Sequence, residues 1–293
     1  MAEPAASPWL HVSVVCSASE VALAECALEE AGALGVTLTD AGDDPLYEPP
    51  PGATPLWQAT RVTGLFDLAL DTEACLAAIQ LAMPGRVARI EPLAERDWTR
   101  AWLDRFGPMR FGERLWVIPT EHPVPADAEV ALRLDPGLAF GTGTHPTTAM
   151  CLRWLDGLDL RDRGVLDYGC GSGILAIAAT LLGAHRADAI DIDRQALLAT
   201  AENAGRNGVG ARVHPTLPRP LPDAGYDVVV ANILAGPLAT LAPTLGPTLA
   251  PGARLALAGL LAAQADAVIA AYRPWCTLDV RARDAEWVLL ATH

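Results

Sequence analysis

The sequence predicts an α/β protein of two domains, a small α+β domain followed by a larger, doubly wound α/β domain. Three observations support this prediction. The chain has 293 residues, more than one compact domain usually holds. Its first 93 residues show the pattern β-α-β-β-α-β, with the apolar periodicities of strands and helices. From about residue 113 onward, strands and helices alternate around a glycine-rich turn.

The N-terminal part, residues 1–93, is predicted to form a ferredoxin-like domain because six elements follow one another in that order. The predicted elements are a strand at 10–16, a helix at 19–33, strands at 35–39 and 56–65, a helix at 71–83 and a strand at 86–93. Ser19 is the expected N-cap of the first helix. Residues 94–112 are predicted to be a helical linker, with Trp98, Trp102 and Phe106 spaced along one helix face.

The C-terminal part, residues 113–293, is predicted to be a Rossmann-like domain with a seven-stranded, mainly parallel sheet. A strand pair at 115–118 and 130–134 leads into it. The seven strands are expected at 165–168, 187–192, 212–214, 228–231, 254–258, 277–283 and 287–292. No helix separates the last two, so they should form an antiparallel hairpin at one edge of the sheet.

The charge of the chain is negative and unevenly distributed. The formal net charge is −14, the 21 basic residues are all arginine, and residues 1–93 carry 13 Asp and Glu against 3 Arg. An acidic N-terminal part repels nucleic acid and attracts basic partners, although it serves equally as a solubilising surface. Apolar residues make up 51% of the chain, which excludes disorder as its general state.

The six cysteines form no C-x-x-C pair and show no metal-ligand spacing, so we predict no metal site. They are typical of the reduced thiols of a cytoplasmic protein. The uncharged stretch between Asp227 and Arg254 is long enough to span a bilayer, but Asn232, Gly236 and four prolines interrupt it. We interpret it as a strand, a loop and a core helix, and therefore expect no membrane partner.

A glycine turn joins the first strand of the predicted sheet to a helix, over Val165–Leu175. Such a turn lets a ligand approach the backbone, and the helix directs its N–H groups toward that ligand. The spacing is G-x-G-x-G, and Ile174 stands where a dinucleotide fingerprint has its third glycine. Asp167 precedes the turn, where a carboxylate suits the sulfonium and ammonium of S-adenosylmethionine better than a pyrophosphate. Gly169 and Gly171 are the expected contacts.

Two further strand ends carry polar residues. Asp191 lies 22 residues beyond Gly169, at the end of the second strand, where a carboxylate can accept both ribose hydroxyl protons. Asp193 is the expected N-cap of the next helix. Asn232 follows the fourth strand, and its carboxamide can bind an amine and the cofactor, although an Asn before a helix is equally a cap.

A Gly/Thr-rich loop, Asp135–Thr148, precedes the first core strand and is expected to fold over the cofactor as a lid. Phe140 would contact the adenine or the sulfonium, and Thr148 the methionyl part. For His145, which precedes Pro146 at a helix start, we favour a structural hydrogen bond over a general base.

Taken together, the loop Asp135–Thr148, the glycine turn, the string Ile190–Asp193 and the string Ala231–Leu238 resemble the PrmA family, bacterial methyltransferases of ribosomal protein eleven of the large subunit. The resemblance extends over nearly the whole chain, including Pro108–Trp116. One small departure is Ala189, where a glycine is frequent in the family.

The resemblance implies a protein-lysine N-methyltransferase whose cofactor S-adenosylmethionine contacts Thr148, Gly169, Asp191 and Asn232. The N-terminal domain would bind the basic ribosomal protein, free or in the ribosome, with a linker that lets it swing. Lysine side chains and the N-terminal α-amine would be methylated, and we expect Asn232 to orient the amine. No specificity for nucleic acid is expected, and nothing in the sequence demands more than a monomer.

Three alternatives remain at this stage. A methyltransferase of another basic protein or a small amine would need the same cofactor site. A nicotinamide-dependent oxidoreductase is disfavoured by Ile174 and Asp167. A non-catalytic binding module with the same fold is disfavoured because site residues stand on four separate loops.

Overall fold

A computed structural model of the chain describes residues 9–42, 54–93, 107–135 and 143–293. The chain divides into two compact units, Met1–Ala101 and Trp102–His293. Three predicted features lie partly or wholly outside the described residues: the aromatic stripe of the linker, Phe140, and residues 136–142 of the loop that precedes the first core strand.

The first unit is a four-stranded antiparallel sheet with two helices on one face. Its elements are β1 (Trp9–Ser17), α1 (Val21–Glu30), β2 (Gly35–Asp40), β3 (Ala59–Asp67), α2 (Thr72–Ala82) and β4 (Ala88–Pro92). The strand order is β2-β3-β1-β4. Along β3, every second residue is buried, because one face of the sheet packs on the helices and the other stays open. Val12, Val14, Val62 and Phe66 lie in the resulting core.

The ends of the two helices have local causes. Asp71 caps α2 by accepting a hydrogen bond from the backbone N–H of Ala74 at 3.0 Å. The prediction that Ser19 caps the first helix is wrong: Ser19 lies inside a 3₁₀ turn, Ala18–Glu20, that leads into α1. The turn begins at Ser17, whose backbone N–H donates to the carboxylate of Glu20 at 2.9 Å.

The second unit contains ten strands and five helices among its described residues. The strands are β5 (Met109–Phe111), β6 (Leu115–Ile118), β7 (Val130–Arg133), β8 (Gly164–Tyr168), β9 (Arg186–Ile190), β10 (Val213–Thr216), β11 (Tyr226–Asn232), β12 (Leu249–Leu261), β13 (Asp279–Asp284) and β14 (Trp287–Ala291). The helices are α3 (Pro146–Asp156), α4 (Ile174–Leu181), α5 (Arg194–Arg206), α6 (Ala235–Leu245) and α7 (Ala265–Tyr272).

Seven of these strands form one sheet in the order β10-β9-β8-β11-β12-β14-β13. The first five are parallel, and β14 pairs antiparallel with both β12 and β13, as the missing helix between the last two strands predicts. Apolar cores cover both faces of the sheet, so the doubly wound, Rossmann-like prediction is confirmed. The chain winds outward in opposite directions from β8 and β11, and the carboxyl ends of these two strands form the switch point where such sheets bind ligands.

A second sheet, in the order β5-β6-β7, holds the predicted strand pair as β6 and β7, and the second of these strands ends at Arg133 instead of Leu134. The last helical residue of α3, Asp156, ties this sheet to the helix. Its side chain is 3% exposed and accepts hydrogen bonds from the backbone N–H groups of Glu113, Arg114 and Leu115. Met109–Phe111, within the predicted linker, form the edge strand β5.

The uncharged stretch after Asp227 forms the end of β11, helix α6 and the start of β12, in agreement with the predicted strand and core helix. Among the described residues, every helix is too short or too polar to cross a bilayer.

Candidate active site at the carboxyl ends of β8 and β11

The glycine turn connects β8 to α4 at the switch point. Gly169, Gly171 and Gly173 adopt φ angles of 80°, 54° and 79°, in the left-handed region that favours glycine. The N–H groups of Gly169 and Cys170 both donate to the carbonyl of Ile190, at 2.7 and 3.0 Å, so the turn is fastened to the end of β9. A Cβ at Gly173 would lie 2.7 Å from the Thr200 side chain, so the turn also packs closely on α5.

Asp191 stands directly beside this turn. Its Oδ2 accepts a hydrogen bond from the N–H of Gly171 at 2.9 Å, and its Oδ1 accepts one from the N–H of Asp193 at 2.9 Å. Each carboxylate oxygen keeps a second lone pair with which it can accept from a hydroxyl donor. The predicted cap role of Asp193 is confirmed, since its side chain accepts from the N–H of Gln195 at 2.8 Å at the start of α5.

Asp167 lies beneath the turn and is fully buried. Its Oδ2 accepts a hydrogen bond from the N–H of Ala176 in the first turn of α4, at 3.0 Å. Its Oδ1 has no hydrogen-bond partner among the described residues. Burial raises the pKa of Asp167 to about 7, and the negative charge of Asp191 adds to this while the Ala176 N–H opposes it.

Asn232 ends β11 on the other side of the switch point. Its Nδ2 donates to the Oγ1 of Thr148 at 3.1 Å, which joins two predicted site residues that are 84 positions apart in sequence. Since the amide nitrogen is held by Thr148, the amide oxygen is left as an acceptor for an incoming N–H. Asn232 does not cap the following helix, because the N-cap of α6 is Leu234, so the alternative reading of this residue is wrong.

Ile233 and Gly259, which the sequence pattern did not single out, fix the position of Asn232. The next residue, Ile233, is held between two glycines. A Cβ at Gly169 would lie 2.2 Å from Ile233 Cγ2, and a Cβ at Gly259 would lie 2.4 Å from the Ile233 carbonyl oxygen. The Ile233 N–H also donates to the carbonyl of Ala258 at 3.1 Å. The glycine inside the apolar strand β12 was the available signal of this close approach.

His145 takes the structural role that the sequence favours. It is the N-cap of α3, and its Nδ1 lies 2.7 Å from Thr147 Oγ1 and accepts from the Thr147 N–H. Its ring packs edge-on against Trp287, with the ring centroids 4.9 Å apart. Burial lowers the pKa of His145, which favours the neutral ring that a hydrogen-bond acceptor at the cap requires.

The structure thus brings Thr148, Gly169, Gly171, Asp191 and Asn232 to one edge of the sheet. The donor set fits S-adenosylmethionine in chemical terms. Asp191 provides carboxylate oxygens that can accept from hydroxyl groups, while the turn offers close backbone approach. Phe140, the sixth predicted contact, lies outside the described residues.

Comparison with known proteins assigns this chain to a family. Residues 8–293 match the model of the family described as ribosomal protein L11 methyltransferase (PrmA). A ribosomal protein L11 methyltransferase of Pseudomonas aeruginosa (strain LESB58) is 52% identical over 287 residues, which cover 97% of this chain and 98% of that protein. The protein of the same name from Klebsiella pneumoniae (strain 342) is 51% identical over 284 residues, which cover 96% and 97% of the two chains.

One solved structure is also similar. The crystal structure of a ribosomal protein L11 methylase from Lactobacillus delbrueckii subsp. bulgaricus shares 32% sequence identity with this chain, with a TM-score of 0.56. The match covers 64% of this chain and 98% of that one.

Proposed function

The chain belongs to the ribosomal protein L11 methyltransferase (PrmA) family, and on that premise we propose that it transfers methyl groups from S-adenosylmethionine to amine nitrogens of ribosomal protein L11. The acceptors are lysine side chains and the N-terminal α-amine. The observation that carries the amine chemistry is Asn232, whose amide oxygen is left as an acceptor beside the glycine turn because Thr148 holds its amide nitrogen.

The residues that would hold the cofactor include Thr148 in α3, Gly169 and Gly171 in the glycine turn, Asp191 after β9 and Asn232 at the end of β11. Phe140, which the sequence adds to this set, lies outside the described residues. Bound S-adenosylmethionine supplies a methyl group on a sulfonium, which is already a good leaving group, so the protein mainly has to align the acceptor.

Asn232 performs that alignment by accepting an N–H of the incoming amine, which directs the nitrogen lone pair. A lysine amine has a reference pKa of about 10.4 and reaches the site mostly protonated. Because the Asn232 amide is neutral, it does not stabilise the ammonium form as a carboxylate would, and the proton passes to water.

The N-terminal unit is proposed to be a ferredoxin-like substrate-recognition domain, over residues 1–93. A linker at 94–112 and the methyltransferase domain at 113–293 complete the chain. The element order and strand order of the first unit support the fold. Its excess of acidic residues supports the proposal that it binds a ribosomal protein, since ribosomal proteins are generally basic and opposite charge accelerates association. Both partners would meet in the cytoplasm.

The decisive experiment is methyl transfer to purified ribosomal protein L11, read by intact mass. We expect mass added in steps of about 14 Da, one for each methyl group that replaces a hydrogen. Lysine-to-arginine variants of the substrate, and a substrate with an acetylated N-terminus, assign each step to a nitrogen. Tight cofactor binding without transfer to L11 would reject this substrate and direct the search to another basic protein or a small amine.

The role of Asn232 is tested by replacing it with Ala and with Asp. Asn232→Ala should lower kcat by about 100-fold or more, because the acceptor that aligns the amine is gone. Asn232→Asp keeps an acceptor but adds a negative charge that raises the pKa of the bound amine, so its rate should recover as pH rises. Rate–pH profiles that coincide for wild type and Asn232→Asp would contradict this role.

A further inference from the structure

The open face of the N-terminal sheet carries a groove that the methyl-transfer site does not use. Its volume is about 450 Å³. We call it the arginine groove and define it by the residues that line it: Ser13, Val15, Arg61, Arg86, Val87 and Arg89. The helices α1 and α2 pack on the opposite face of this sheet, so the groove faces away from the core of the unit.

The charge of the groove is opposite to that of its surroundings. Residues 1–93 contain three arginines against 13 acidic residues, and all three arginines line the groove. Arg86 is neutralised by Glu20, which accepts from its Nη2 at 2.6 Å and from its Nε at 3.3 Å. The side chains of Arg61 and Arg89 have neither a hydrogen bond nor an ion pair with any described residue. Two guanidinium groups therefore remain uncompensated.

The strand register places these two guanidinium groups within reach of one ligand. Arg61 on β3 is paired with Val15 on β1, and Arg89 on β4 is paired with Ser13 on β1. Their Cα atoms are therefore separated by two strand spacings, about 10 Å, and by an offset of two residues, about 7 Å. Both side chains stand on the same face of the sheet, and each is long enough to extend over β1. A carboxylate above β1 can accept from both.

We propose that the arginine groove binds an acidic side chain of the protein substrate and thereby fixes the register in which that substrate docks. Arginine forks match the two oxygens of a carboxylate and hold it with two parallel hydrogen bonds. The proposal rests on the proposed function. The acidic surface would attract the basic substrate from a distance, and the groove would then select one orientation.

A protein carboxylate suits the groove better than an RNA backbone. Binding to a phosphate chain draws its strength from many Lys and Arg contacts, whereas the described residues of this unit offer two arginines without a side-chain partner, and the chain contains no lysine. The balance of 13 acidic residues against three arginines in residues 1–93 would repel the rest of a polyanion. One carboxylate, in contrast, is satisfied by the two arginines alone.

The test compares the full-length double variant Arg61→Glu/Arg89→Glu with wild type in methyl transfer to ribosomal protein L11. We expect KM for L11 to rise about tenfold or more, because a buried carboxylate would then face like charge. The kcat value and the Kd for S-adenosylmethionine should stay within about twofold of wild type, since the site on β8 and β11 is untouched. Arg61→Gln/Arg89→Gln should give an intermediate KM.

The matched control is Arg254→Glu/Arg281→Glu, which makes the same change in net charge at two exposed positions of the second unit. Its KM should stay close to wild type; an equal rise in both double variants would show an effect of net charge that does not depend on the groove and would overturn the proposal. An unchanged KM in the groove variant would also overturn it. Thermal unfolding of each variant verifies that the first unit remains folded.

A second measurement separates this proposal from the proposed function. The arginine Nε–H resonances of the wild-type protein are followed by NMR while an acetylated Glu-Gly-Glu peptide, and separately a single-stranded RNA oligonucleotide, are added. If L11 receives no methyl group, the proposed function fails, but shifts of Arg61 and Arg89 with the peptide still support the groove. Shifts with the RNA alone, or with neither probe, overturn it.

Discussion

The hydrogen bond between Thr148 and Asn232 provides the sharpest test of how the site is built. Thr148 is 1% exposed, and its Oγ1 accepts from Asn232 Nδ2 at 3.1 Å. In Thr148→Val the side chain keeps its shape but loses the oxygen, so Asn232 is no longer held in one orientation. Thr148→Ser keeps the hydroxyl and loses only a methyl group.

The expected magnitude follows from the worth of one hydrogen bond. Such a bond contributes a net of about 0.5–1.5 kcal/mol. If that energy serves to orient Asn232, losing it lowers kcat by about 2- to 13-fold, since about 1.4 kcal/mol corresponds to a factor of ten. Thr148→Ser should remain within about twofold of wild type in kcat, because the hydrogen bond is retained.

Single-turnover methyl transfer with saturating cofactor and L11 measures this effect without a contribution from product release. Calorimetric titration with S-adenosylmethionine runs alongside it, because the family resemblance also predicts a direct contact between Thr148 and the cofactor. A Thr148→Val enzyme as fast as wild type would refute the positioning role. Equal losses in the Val and Ser variants would assign the effect to packing rather than to the hydrogen bond.

Three further predictions concern the carboxylates. Asp191→Ala should weaken S-adenosylmethionine binding by about tenfold or more in calorimetry, because two charge-assisted hydrogen bonds to ribose are lost. Asp193→Ala, the control, should lower the free energy of unfolding by only about 1 kcal/mol, because it removes the cap of α5. Asp156→Ala should lower the free energy of unfolding in urea by about 3–5 kcal/mol, because buried backbone N–H groups lose their acceptor. A loss below about 1 kcal/mol would contradict the role of Asp156 in joining α3 to the second sheet. Asp167 should make stability depend on pH. Its pKa is about 7 in the folded protein, above its ordinary value, so between about pH 4 and pH 7 the folded chain keeps a proton that the unfolded chain has lost. Stability contributed by the neutral form is therefore lost as pH rises toward 7. Asp167→Asn should remove this decline, and parallel stability–pH curves for the two proteins would argue against it.

Features that depend on neighbouring residues could be predicted from the sequence. The glycine turn between β8 and α4 and the cap of α5 at Asp193 were both placed correctly, because backbone sterics and the first turn of a helix involve only a few consecutive residues. The parallel sheet was also predictable, since β-α alternation with short connections permits few topologies.

Some local predictions were wrong or left open where more than one hydrogen-bonding arrangement was plausible. Ser19 and Ser17 are both plausible caps, and the carboxylate of Glu20 decides in favour of Ser17. Asn232 precedes a helix closely enough to be a cap, yet α6 begins after Leu234, which frees the amide to bond Thr148. In both cases the outcome depends on a hydrogen-bond partner whose position in space cannot be read from the sequence.

By itself, the sequence determined the two-part organisation, the sheet with its switch point and the identity of the residues at the strand ends, because these follow from periodicity and local turn chemistry. Only the tertiary structure decided that Thr148 holds Asn232, that Ile233 packs closely between Gly169 and Gly259, and that the arginines of β3 and β4 line one groove. These contacts join residues that are distant along the chain. Their distances are set by strand register and by close packing between elements, which no local pattern encodes.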